Sequence, residues 1–316
     1  MQRYVMRRIF MAVPVLLLVS FMTFSLIRIV PGDVVLQMIG ESGLARDRDI
    51  ALIKQQLGLD RPFHEQYVTW MSGMLRGDMG LSLWTGKPAR DELFRRIPVS
   101  AELGALALLI ALVIAIPIGI VSATRQDTAS DYVGRLIAIS GLSMPDFWIA
   151  TLAITFLAIW FQWIPRIGFV GLFDDPLLNL QQLIIPASIM GFRLSAVTMR
   201  MVRSTMLEVL RQDYIRTAWS KGLRERAVIY RHALKNALIP VITIVGTQVE
   251  RLLAGAIIIE TIFVLPGVGR LTLESIQQRD YTQLQGNVMF IAVVMVSVNL
   301  IVDISYAWFD PRIRYR

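Results

Sequence analysis

Residues 9–27 read IFMAVPVLLLVSFMTFSLI, apolar apart from Ser20, Thr23 and Ser25. At ~1.5 Å per helical residue the stretch covers a hydrocarbon core of ~30 Å, so it reads as a membrane-spanning helix. Arg3, Arg7 and Arg8 precede it. A secretory signal would share that basic start, but its apolar region is shorter and ends at small residues. Here the stretch runs into Arg28-Ile29-Val30-Pro31-Gly32-Asp33. The reading is a retained first helix with its amino terminus inside.

The remainder of the chain agrees with a lipid environment. Hydrophobic residues make up 55% of 316 and charged residues 18%, and mean hydropathy is +0.56. That is too apolar for a soluble domain with a hydrated surface. Further spans are expected at 99–123, 133–161, about 180–199, 237–263 and 286–308. The fold class is therefore an all-α membrane protein with six transmembrane helices, both termini on the cytoplasmic side.

Charge tests that topology, because short cytoplasmic loops accumulate Lys and Arg. The net charge is +8. Nine basic residues (Arg200, Arg203, Arg211, Arg216, Lys221, Arg224, Arg226, Arg231, Lys235) face three acids (Glu208, Asp213, Glu225) between the fourth and fifth spans. Segment 31–98 balances nine Lys and Arg with nine Asp and Glu, as a translocated segment can. The loop from Thr124 to Tyr132 fits less well, with Arg125 against Asp127 and Asp131. A basic excess confined to the inner loops argues for membrane topology and against a nucleic-acid surface. The chain has no cysteine, which removes disulfides, thiolate nucleophiles and iron–sulfur chemistry. His64 and His232 are far apart in sequence, so paired-histidine metal binding has no support.

Segment 31–98 carries helix signals of its own. Phe63, Tyr67, Trp70 and Met74 repeat at helical spacing, with Pro62 before them and Gly77 after. Pro88 is expected to open a second short helix ending before Pro98, giving a small helical insertion on the outer face. On the inner side, Asp213-Tyr214-Ile215-Arg216-Thr217-Ala218-Trp219-Ser220-Lys221-Gly222-Leu223 reads as a short polar helix closed by Gly222. A second helix is expected from Arg224 to Leu238, with Pro240 opening the fifth span. A short exposed helix held between two membrane helices can dock in a groove of another protein and return motion to the pore.

At this loop the sequence resembles the permease subunits of ABC importers, whose loop reads Glu-Ala-Ala, three residues, Gly, then an apolar-Pro pair. The matching positions are Arg216-Thr217-Ala218, Gly222 and Leu238-Ile239-Pro240. Arg216 in place of the acid, and the longer interval to Pro240, are features of the dipeptide, oligopeptide and nickel branch. The likeness extends along the chain: Pro31-Gly32-Asp33, Leu57-Gly58-Leu59-Asp60, Ser143-Met144-Pro145 with Phe147-Trp148, Glu260-Thr261-Ile262-Phe263, Pro266-Gly267-Val268-Gly269-Arg270, Arg279-Asp280-Tyr281 and Asp310-Pro311-Arg312. The resemblance implies a type I importer permease fold as one transmembrane domain over 1–316, with segment 31–98 outside and a coupling loop at 201–236. It also implies a second homologous permease subunit, one or two cytoplasmic ATPase subunits using ATP and Mg, and an extracytoplasmic solute-binding protein. Thr217, Ala218 and Gly222, with Arg216, Lys221 and Leu223 beside them, are expected at the ATPase contact.

The chain lacks a phosphate-binding loop of the Gly-x-x-x-x-Gly-Lys-Ser/Thr type, since Gly86-Lys87 runs into Pro88. It is therefore expected to be no enzyme itself, with no cofactor of its own. Ionisable groups inside spans are costly unless paired or hydrated, which makes them functional candidates. Asp146, Arg193, Glu250 and Arg251 are such groups. They are expected to line a translocation path suited to a zwitterionic or charged solute such as a short peptide. The structural alternative is that Asp146 pairs with Arg193, and that Glu250 and Arg251 bond to a partner subunit. Glu102 and Glu260 lie near outer span ends, where snorkelling or capping accounts for them. Two rival functions remain at this point: an ion-gradient-driven secondary transporter using the intramembrane acids, and a passive channel or receptor-like scaffold.

Overall fold

The computed structural model describes residues 2–29 and 61–309. The motifs at 31–33 and 57–60 and the tail from Asp310 lie outside the described residues, as do the side chains of Glu250 and Arg251. The described chain is helical: α1 (Gln2–Ile29), α2 (Phe63–Leu75), α3 (Ala89–Thr124), α4 (Ala129–Ser143), α5 (Asp146–Phe161), α6 (Pro176–Leu210), α7 (Asp213–Ser220), α8 (Leu234–Ile262), α9 (Val268–Gln277) and α10 (Tyr281–Phe309). Among the described residues five helices are long and apolar enough to cross a bilayer, or six if the bent pair α4–α5 counts as one span.

That bent pair replaces the single helix expected over 133–161. The two halves meet at 96°. Pro145 has no N–H to donate and disfavours helical geometry at the residue before it. Accordingly Met144 (φ −97°, ψ 124°) and Pro145 (φ −66°, ψ 140°) are both extended. Two other expectations based on proline are corrected. No short helix ends before Pro98, because α3 runs through Pro98 and Pro117. Pro240 does not open the fifth span but lies inside α8, which continues from Glu225–Ala227 through a π-helical turn, Val228–Ala233. Each of these prolines forgoes one backbone hydrogen bond, which a long apolar span absorbs when its neighbours pack against it.

Two compact units divide the described chain, one built from Ile97–Arg270 with the chain after Ser297, the other from Gln2–Arg96 with Leu271–Val296. In the first, α6 packs against α8 and α4. Val99, Leu103, Ala107, Ala111 and Ala115 of α3 recur every fourth residue, and all are buried. Small side chains at helical spacing let backbones approach closely. At Gly191 of α6 a Cβ would come within 2.7 Å of the Ala107 carbonyl oxygen, so only glycine fits that crossing. The start of α6 follows from capping, since Asp175 accepts from the Leu177 and Leu178 N–H groups and Pro176 occupies the first turn. The far faces of α3 and α5 stay apolar yet exposed, as at Val113, Ile159 and Trp160. Such a surface is stable against lipid or another protein.

In the second unit Phe24 of α1 is fully buried among Phe63, Tyr67 and Trp70 of α2, with ring centroids 5.2 to 5.5 Å away. These are three of the four apolar positions that announced α2. Asp280 begins α10 by accepting from the Gln283 N–H at 3.0 Å, and it also holds Ser82 Oγ and the Leu83 N–H. One carboxylate thereby fixes both a helix start and the turn before α3.

Candidate functional site

The loop between α6 and α8 is rooted from beneath. Ile215 and Ala218 lie three residues apart on α7, so they share one face. Both are buried, in a cluster with Val202 and Met206 of α6 and with Val228, Ala233 and Ala237. Asn236 Nδ2 donates to Tyr214 Oη at 2.8 Å, tying α7 to the start of α8. Of the six residues expected at a partner, Ala218 therefore points inward, while Arg216, Thr217, Lys221, Gly222 and Leu223 are exposed. Thr217 Oγ1 donates back to the Asp213 carbonyl at 3.0 Å, and Arg216 lies 3.5 Å from the Asp213 carboxylate. The latter pair is wide open to solvent and holds little.

Gly222 ends the helix. Its φ is +75°, its N–H bonds to the Trp219 carbonyl at 2.9 Å, and a Cβ built there would meet nothing within 4 Å. Left-handed backbone rather than crowding requires glycine at this point. The exposed rim also includes Tyr214 and Trp219. These aromatics were not singled out in the sequence; Tyr214 stands four residues before Ala218 and Trp219 four after Ile215, which puts them on the flanks of the buried face.

Within the spans, Asp146 and Arg193 do meet. Arg193 Nη1 donates to Asp146 Oδ2 at 2.8 Å. The other carboxylate oxygen, Oδ1, is buried without a hydrogen-bond partner among the described residues. The Asp146 side chain is 16% exposed and that of Arg193 53%. Glu260 is fully buried, so it caps rather than snorkels: it accepts from Ser100 Oγ and, at 2.9 Å, from the Arg270 N–H near the start of α9. Glu102 accepts from Asn179 Nδ2 at 2.6 Å.

A further charged cluster went unread in the sequence. Asp131, in the first turn of α4, is fully buried. It accepts from Ser122 Oγ, from the Asp127 N–H at 3.1 Å, from Arg135, and from Arg203 Nε and Nη2 at 2.8 and 3.0 Å. Arg135 also reaches Asp127 at 3.1 Å. The two acids that weakened the charge test at 124–132 are thus matched by arginines on α4 and α6. Arg203 stands on the same helix that leads into α7.

Comparison with known proteins identifies the family. The family described as "Binding-protein-dependent transport system inner membrane component" matches residues 115–315, and its N-terminal companion matches residues 1–103. The chain is 40% identical to the dipeptide transport system permease protein DppB of Alkalihalophilus pseudofirmus and 37% identical to DppB of Escherichia coli K12, all of each chain being covered. In fold it is similar to a chain of the inward-facing MetNI methionine ABC transporter, with TM-score 0.57 at 14% identity, over 69% of this chain and 96% of that one. The all-helical fold and its likeness to an importer permease are as expected. The chain belongs to the family of binding-protein-dependent transport system inner membrane components.

Proposed function

We propose that this chain is one of two pore-forming subunits of an ATP-driven importer for small peptide-like, zwitterionic or charged solutes. It spans the membrane six times as one domain over 1–316, with both termini inside, segment 31–98 facing the solute-binding protein and loop 201–236 facing the ATPase. A second homologous permease completes the pore. One or two ATPase subunits supply the ATP and Mg sites.

The observation that carries this reading is the construction of the loop. Its helix α7 is fastened to α6 and to the root of α8 through Ile215 and Ala218, while Arg216, Thr217, Lys221, Gly222 and Leu223 stay exposed. A partner that displaces the exposed rim must move the two spans with it. ATP binding then shifts the pore between outward and inward states through its differential affinity for the two. The peptide class is suggested by the DppB relatives.

Cross-linking tests the contact cleanly, because the chain contains no cysteine. Thr217→Cys is expected to cross-link to an ATPase subunit, with a yield that changes when ATP is added. Cross-linking absent in both states, in a complex that still hydrolyses ATP, would remove the coupling assignment.

A further inference from the structure

We infer that Asp146 and Arg193 form a solute-reading pair within the translocation path, in which Arg193 takes a solute carboxylate and Asp146 its ammonium group. The inference rests on the peptide-importer reading above.

The first observation is that the pair is incompletely made. A buried Arg–carboxylate contact gains most from two parallel bonds. Here one bond is made, at 2.8 Å, and Asp146 Oδ1 is buried without a partner among the described residues. Such an oxygen favours any donor that reaches it. A zwitterion supplies what both members lack: a carboxylate able to engage the guanidinium fork and an ammonium for the carboxylate. One single-contact ion pair is then replaced by two charge-assisted ones.

The second observation is position. Arg193 precedes Arg200, where the basic stretch begins, by about 10 Å of helix rise. Side chains on a helix lean toward its N-terminus, which for α6 is away from that basic end, so snorkelling to the cytoplasm is opposed. A guanidinium that is 53% exposed at this depth needs a watery cavity or a polar partner on its open side.

The third is the bend. Asp146 opens α5 directly after the 96° break at Met144-Pro145. The Met144 N–H bonds back to the Ser140 carbonyl and the Ile149 N–H to that of Pro145, but among the described residues no backbone hydrogen bond joins the two halves, so separating Asp146 from Arg193 removes one restraint on hinge motion. Since α5 also packs against α6 and α8, solute occupancy bears on the angle between α4 and α5 through the Asp146–Arg193 bond together with that packing.

Two measurements on the complete transporter in liposomes test this. In the first, Arg193→Gln is compared with the unaltered protein for uptake of a dipeptide and of its C-terminal amide, each presented on binding protein of verified loading. The variant is expected to lose at least tenfold more in rate for the free peptide than for the amide. Equal loss for both solutes, or no loss for either, overturns the inference. In the second, Arg193→Cys is treated with a membrane-impermeant thiol reagent and labelling of this subunit is followed. Labelling slowed severalfold by loaded binding protein supports the inference; no labelling, or labelling indifferent to solute, overturns it. Failure of the unaltered protein to transport any peptide with ATP would instead remove the parent reading and this inference with it.

Discussion

Replacing Asp131 by Asn keeps the shape of the side chain and reverses the chemistry of one of its ends. The carboxylate is fully buried and accepts six hydrogen bonds, from Ser122, the Asp127 N–H, two nitrogens of Arg135 and two of Arg203. In the amide, one acceptor becomes a pair of donors pointed at guanidinium and backbone N–H groups. Removing one member of a buried charge cluster typically destabilises by 3–5 kcal/mol, because the remaining charges stay desolvated. The Arg203 side chain is 22% exposed and that of Arg135 38%, so both can recover some hydration. The low end, about 3 kcal/mol, is therefore expected. At roughly 2–4 °C per kcal/mol for a chain of this order of size, the apparent Tm of the purified subunit should fall by about 6–12 °C. The Arg203→Met variant should also be destabilised, and combining the two should give less than the sum, since the second change removes a charge the first stranded. An Asp131→Asn protein melting within 1 °C of the parent would refute the claim that this cluster fastens α4 to α6.

Three other outcomes follow from the same geometry. Gly222→Asn should keep most solute-stimulated ATPase activity in the assembled transporter, because Asn tolerates left-handed backbone, whereas Gly222→Val should lose it; equal activity in both variants would show that φ does not matter there. Ile215→Ala removes a fully buried side chain from beneath α7 and should cost about 2–4 kcal/mol of local packing. Its readout is faster tryptic cleavage at Lys221 and Arg224 in a subunit still inserted in the membrane. Glu260→Ala strips Ser100 Oγ and the Arg270 N–H of their acceptor and should destabilise by about 2 kcal/mol, with Glu260→Gln losing less, as measured by thermal melting.

The spans and the loop helix were legible because they depend on local signals. A run such as 99–123 needs no tertiary information to read as a membrane helix. The spacing of Phe63, Tyr67 and Trp70 announced α2 and the ring cluster around Phe24. Gly222 announced the end of α7 through its backbone freedom. Proline was read less well, because its effect depends on what surrounds it. Pro98, Pro117 and Pro240 are carried inside helices, whereas Pro145 separates two helices by 96°. Composition treats all four alike.

The charged sites show the same limit. The Asp146–Arg193 contact was foreseen as one of two alternatives because both residues sit in apolar runs where an unpaired charge is costly. Asp131 looked like a loop acid of the wrong sign, since its partner Arg203 lies 72 residues away and its burial depends on packing between helices. Pairing at such separation leaves no periodic trace in one sequence.

The central claim is that ATP hydrolysed by a partner drives solute through this chain. Its most direct test is uptake of a labelled dipeptide into liposomes holding the complete transporter, with loaded binding protein outside and nucleotide inside. Uptake that requires both ATP and the binding protein, and that persists when an uncoupler collapses ion gradients, is the predicted result. Uptake that proceeds without ATP and stops on addition of the uncoupler would contradict the account.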